Sequence, residues 1–145
     1  GACGGAVAPA GRPRAVGSRG QAQGVLGVLV QGVPASKRAM PFHDTRGTAR
    51  ANTLAALEMG IATFDASSGG LGGCPYAPGA SGNMATEDLV YMLEKMGIDT
   101  AVDLNLLVAA SQIIAPYLDH PLPGRYLQAC TRAAAPVAAT TATVQ

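Results

Sequence analysis

The strongest constraint in this chain is a short alternating segment, a helix-length segment and a second alternating segment in immediate succession. Arg38–Asp44 (RAMPFHD) places Met40 and Phe42 on one face and Pro41 and His43 on the other, the period of a strand. Thr48–Met59 has helical composition and Gly60 stands at the natural stop position. Ala51, Leu54, Ala55 and Glu58 fall on one stripe of that helix, with Leu57 beside it. Ile61–Ala66 alternates again, Ile61, Thr63 and Asp65 against Ala62, Phe64 and Ala66. Two strands joined by a helix of this length are predicted to lie parallel, because a hairpin turn cannot connect them.

The residues that follow extend the pattern without adding many strands. Ser67–Asn83 (SSGGLGGCPYAPGASGN) reads as a long loop with six glycines and two prolines. Thr86 is expected to cap a helix over Glu87–Met96, with Glu87 and Asp88 in its first turn, Leu89, Met92, Leu93 and Met96 on its apolar face, and Gly97 at its end. Asp103 is expected to cap a further helix to about Ala115, with Leu104, Leu107, Val108 and Ile114 apolar, before Pro116 stops it. Two or three parallel strands cannot close or cover themselves. A complete (β/α)8 barrel needs about 250 residues, and the chain has 145. The fold class is therefore α/β, an incomplete part of a larger parallel architecture.

The flanks are read as distinct segments. Gly1–Gly24 holds seven glycines and little aliphatic bulk, so it is expected to remain unpacked, and it has no apolar core of a signal peptide. Val25–Val30 is apolar and fits the end of a helix or a strand. The organised region is read as residues 25–124, and residues 125–145, rich in Ala and Thr, as a tail expected to fray. The chain starts at Gly and reads as a truncated or frame-altered form of a longer sequence.

Charge and composition narrow the partners. Residues 1–43 carry five bases and no acid, whereas residues 44–145 carry nine acids and five bases. The bases are spaced and lack interleaved aromatics, a weak nucleic-acid footprint, and the net charge of +1 gives no reason to expect a nucleic acid or an anionic membrane as partner. There is no apolar run near the roughly 18 residues of a transmembrane helix, and the protein is read as cytoplasmic. Cys3, Cys74 and Cys130 are too few and too scattered for a disulfide framework, and no C-x-x-C suggests zinc.

The chemistry-bearing residues gather after the strands, the edge where parallel folds keep their sites. His43, Asp44 and Thr45 end the first strand, and Cys74 and Asn83 lie on the glycine-rich loop after the second. Taken singly, His43 fits a barrel-mouth histidine, Cys74 a small hydrophobe and Asn83 a capping residue. His120, between Asp119 and Pro121, fits a solvated turn, and Cys3 and Cys130 have no supporting context.

Together, FHDTRGTARANTLAALEMG and FDASSGGLGGCPYAPGASGNMATEDLVYMLEKMGI closely resemble the 3-hydroxy-3-methylglutaryl-CoA lyases, metal-dependent enzymes on a TIM barrel. The cysteine loop GGLGGCPYAPGASGN is the specific part, since related condensing synthases lack it. The resemblance implies the C-terminal portion of a (β/α)8 barrel, strand 6 to helix 8. It implies a divalent cation, Mg2+ or Mn2+, held by His43 and Asn83, with Cys74 catalytic, and an acyl-CoA substrate cleaved to acetyl-CoA and acetoacetate, in complete relatives that are homodimers. The first His of the family's H-x-H falls on Pro41, and its Asp ligand lies on a first strand not found in these residues. Activity of this chain alone is therefore not expected. Two further readings remain: a non-catalytic piece that pairs with another barrel portion, and a related aldolase or synthase.

Overall fold

The computed structural model describes residues 38–73 and 82–134, together with Gly20, Gly24 and Gly27, which have helical backbone. The remaining residues of Gly1–Gly24 and Val25–Val30, expected to be unpacked and apolar respectively, lie outside the described residues. The element order is β1 (Ala39–Pro41), α1 (Ala49–Glu58), β2 (Thr63–Asp65), a 3-10 turn (Ser68–Gly70), α2 (Thr86–Lys95), α3 (Leu104–Ile114), a second 3-10 turn (Ala115–Tyr117) and α4 (Arg125–Ala134).

Strands β1 and β2 pair in parallel, with Ala39 opposite Thr63, Met40 opposite Phe64 and Pro41 opposite Asp65. The α1 crossover makes this pairing possible, as the sequence order requires. Pro41 is the last residue of β1, where its missing N–H costs the ladder least. Met40 and Phe42 face the core, which continues through Ala49, Ala56, Ile61, Met84, Leu89 and Leu93. Phe64 packs on that cluster, its ring 6.4 Å from that of Phe42. Gly60 and Gly97 follow their helices with φ of 82° and 79°, the left-handed conformation that ends a helix.

The buried face of α1 differs from the expected stripe. Ala49, Asn52, Thr53, Ala55 and Ala56 are buried, whereas Ala51 and Glu58 are exposed and Leu54 is half-buried. Positions 49, 52, 53 and 56 follow the i, i+3, i+4, i+7 spacing of a helix face. That face is made of small and polar residues, of which Ala49 and Ala56 join the core cluster. Thr53 returns its hydroxyl to the Ala49 carbonyl (3.0 Å) and meets Met84 Sδ at 3.6 Å, so its polarity is absorbed locally.

Helix α3 begins at Asp103, whose carboxylate accepts from Asn105 N (2.9 Å) and Leu106 N (3.1 Å), the expected cap. Among its residues only Ser111 is buried. Leu106, Ile113 and the following Tyr117 are 69%, 70% and 85% exposed, an apolar face without a neighbour among the described residues. At 125–134, where fraying was expected, the chain instead forms α4. Leu127 is buried, and Tyr126 packs against Tyr91 with ring centroids 5.0 Å apart and planes tilted by 32°. The amphipathic order of Tyr126, Leu127 and Cys130 outweighs the small-residue composition.

Candidate functional site

The site is built where the chain leaves β1 and returns into α2. Asp44 N donates to the Gly82 carbonyl (2.9 Å), and Met84 N donates to the Phe42 carbonyl (3.2 Å). These two bonds make His43 and Asn83 an antiparallel bridge. Directly opposed residues of this kind have Cα atoms about 4.5–5.5 Å apart. Residues forty positions apart in sequence are thus brought side by side at the C-terminal end of β1.

Each neighbour has a defined orientation. Asp44 Oδ1 accepts from Ala49 N (2.9 Å), so its carboxylate caps the start of α1. Among the described residues, His43 Nδ1 is buried with no hydrogen-bond partner, as are the hydroxyls of Thr45, Thr48 and Ser67. Asn83 Nδ2 donates to the Leu71 carbonyl (3.1 Å). With the NH2 group engaged there, Oδ1 is the acceptor end of the amide. Asn83 also lines a shallow surface cleft with Asp44, Ala85, Asp88, Pro123 and Gly124.

The turn after β2 carries the glycine-rich segment. Gly69 and Gly70 have φ of 61° and 79°. A Cβ on Gly69 would lie 2.6 Å from Leu122 Cδ1, so both conformation and space demand glycine. Replacing Gly69 with Ala is expected to cost about 1–3 kcal/mol, from left-handed strain and displacement of Leu122, read as a lowered midpoint in urea unfolding. Cys74 lies outside the described residues, which resume at Gly82.

The acidic pair at the start of α2 does more than the expected complement to the helix dipole. The helix cap is Ala85, without a side-chain bond, and Thr86 is already helical, which corrects the expected Thr86 cap. Glu87 is fully buried and both its oxygens accept from Gly69 N (3.0 and 2.8 Å). Ser111 Oγ donates to Glu87 Oε1 and is paired in turn with Ser68 Oγ. Asp88, also buried, accepts from Arg125 N (3.2 Å) and Tyr126 N (2.7 Å) and faces Arg50 at 3.7 Å. It is the N-terminal anchor of α4. No local sequence signal pointed to these roles, because the donors are 18 and 37 residues away.

His120 is the solvated turn residue expected, 58% exposed, with Nδ1 at 2.5 Å from Asp119 Oδ1. That hydrogen bond holds the Asp119 carboxyl below its ordinary value. Cys130 is a free, half-buried cysteine.

A hard cation fits part of this donor set. A neutral imidazole and an amide oxygen are suitable ligands, and among the described residues the buried His43 Nδ1 has no hydrogen-bond partner. Among the described residues no group of three or more His, Cys, Asp or Glu side chains could hold a metal ion. Pro41 occupies the H-x-H position with no donor.

Residues 15–114 match the HMGL-like family. The chain is 57% identical over 108 residues to the hydroxymethylglutaryl-CoA lyase YngG of Bacillus subtilis, covering 74% of this chain and 36% of that protein. The crystal structure of the Bacillus subtilis HMG-CoA lyase superimposes with a TM-score of 0.79 at 52% identity, covering 83% of this chain and 40% of the other. A structure of an HMG-CoA lyase from Acinetobacter baumannii, in complex with coenzyme A and 3-methylmalate, superimposes with a TM-score of 0.73 at 40% identity, covering 81% and 38%. The chain thus spans about 36–40% of the length of these relatives, and the parallel strands and flanking helices of its described residues correspond to part of their barrel. On this match the chain belongs to the HMGL-like family.

Proposed function

We propose that this chain supplies the C-terminal part of a carbon–carbon lyase site acting on a 3-hydroxyacyl-CoA, cleaving 3-hydroxy-3-methylglutaryl-CoA to acetyl-CoA and acetoacetate. The observation that carries the reading is the pairing of His43 with Asn83 at the end of β1 in a chain 57% identical to a hydroxymethylglutaryl-CoA lyase. Coenzyme A and a hydroxydicarboxylate bound to the Acinetobacter relative support the substrate class. No helix among the described residues is long and apolar enough to cross a membrane.

Cleavage breaks the C2–C3 bond of the acyl group. The C3 hydroxyl loses its proton and becomes the ketone of acetoacetate, while the bonding pair passes to C2 as the enolate of acetyl-CoA, which then takes up a proton. A bound Mg2+ or Mn2+ would act as a Lewis acid on the hydroxyl and carboxylate oxygens. His43 and Asn83 would hold it through one ring nitrogen and Oδ1. Cys74, on the loop that leads back to Asn83, would exchange a proton with the hydroxyl or the enolate. The glycines around it would let the loop approach the substrate closely and exclude water.

Two neutral ligands hold a hard dication weakly, and the two strands of the described residues are too few to give the sub-ångström positioning that catalysis needs. Acetoacetate release by the chain alone, with Mg2+ or Mn2+, is expected at the background rate, the same for Cys74→Ala and for Pro41→His. Release is expected once the rest of the barrel is provided and Pro41→His restores the imidazole. Metal-dependent turnover by the unmodified chain that is lost in Cys74→Ala would contradict the claim that these residues alone are insufficient.

A further inference from the structure

We propose that Glu87 is a positioning residue: through the Ser68–Gly70 turn it fixes the Leu71 carbonyl that orients the side-chain amide of Asn83. Its purpose in catalysis rests on the reading of Asn83 as a cation ligand, whereas its geometry stands independently.

A fully buried carboxylate is costly unless its oxygens are satisfied. Here they converge on one backbone donor, Gly69 N, with Ser111 supplying a further hydroxyl. Gly69 has the left-handed φ that aims this N–H inward. The turn is closed by Gly70 N to the Ser67 carbonyl and Leu71 N to the Ser68 carbonyl, both 3.0 Å. Two residues beyond Gly69, the Leu71 carbonyl receives Asn83 Nδ2, and the next carbonyl, of Gly72, receives Gly82 N (3.1 Å). A Cβ on Gly72 would sit 2.9 Å from Asn83 Nδ2, so the amide lies tight against this backbone. Other bonds tether the turn elsewhere, at Ser67 through Met84 and Thr86 and at the Gly69 carbonyl through Gly124. The Ser68–Gly69 peptide is held from its N–H side by Glu87. Without it that peptide keeps only the bond from Leu71 N to its Ser68 carbonyl, and the direction of the Leu71 carbonyl is expected to loosen. An apolar side chain of equal volume would fill the space but would leave the Gly69 N–H buried without an acceptor.

The test is solvent exchange of the Asn83 side-chain amide and the Gly69 N–H, measured by NMR on the nitrogen-15-labelled full chain, with the α1 amides as reference. Glu87→Met is expected to speed exchange at Asn83 about 10-fold or more with α1 unchanged, while Glu87→Gln, which keeps an acceptor for Gly69, stays within about twofold of the unsubstituted chain. Unchanged Asn83 exchange in Glu87→Met would overturn the proposal. If α1 protection is lost in Glu87→Met, the unsubstituted chain decides: a Gly69 N–H or an Asn83 amide exchanging as freely as an exposed one overturns it, and protection of both supports it. Added Mn2+ is expected to broaden the Asn83 side-chain resonance. Absence of broadening would count against the cation reading, and the exchange comparison would still decide the role of Glu87.

Discussion

Asp88→Ala is expected to destabilise the chain by about 2–4 kcal/mol and to release α4 from α2. The buried carboxylate accepts from the first two N–H groups of α4 and faces Arg50 from α1, so one side chain joins three helices. Its removal leaves the Arg125 and Tyr126 amides without acceptors beside the buried Leu127. Arg50 is 35% exposed and turns to solvent at little cost, so most of the loss arises at the cap. Asp88→Asn keeps one acceptor and is expected to lose about 1 kcal/mol. Urea unfolding gives the size of the loss. Amide exchange gives its location, because α4 is expected to lose protection before the β1–α1–β2 unit. Equal loss of protection in both units would contradict the assignment of Asp88 as the anchor of α4.

The β1–α1–β2 unit was legible because its signals are local. Met40 and Phe42 alternate with Pro41 and His43, and Gly60 marks the end of α1 with the left-handed φ that such a residue allows. Asp103 was legible for the same reason, its acceptor lying two and three residues from its donors. The face of α1 was misread because its buried residues include Ala49, Asn52, Thr53 and Ala56, which are small or polar and carry little hydropathy signal. Helix α4 was missed because its cap belongs to Asp88, far back in the chain, and Thr and Ala composition alone suggests fraying. Glu87 was read as a dipole partner because nothing near it in sequence reveals the Gly69 donor. His43 and Asn83 were singled out by their place after the strands and given a ligand role through family resemblance, and the backbone pairing between them is a long-range feature that neither residue announces alone.

The central claim is that these residues are part of a lyase site completed by the remainder of the barrel. The matched portion of the Bacillus subtilis lyase, 36% of its length, can be replaced by this chain, and acetoacetate release measured with Mg2+ or Mn2+. The graft carrying Pro41→His is expected to turn over, and the graft retaining Pro41 to be much weaker, because proline has no donor for the cation. Within the active graft, Cys74→Ala is expected to lower the rate about 10²–10⁴-fold, the loss typical of removing a proton-transfer group. Asn83→Ala is expected to raise the metal concentration needed for half-maximal rate. A folded Pro41→His graft without metal-dependent turnover, or one whose turnover is indifferent to Cys74→Ala, would contradict the account.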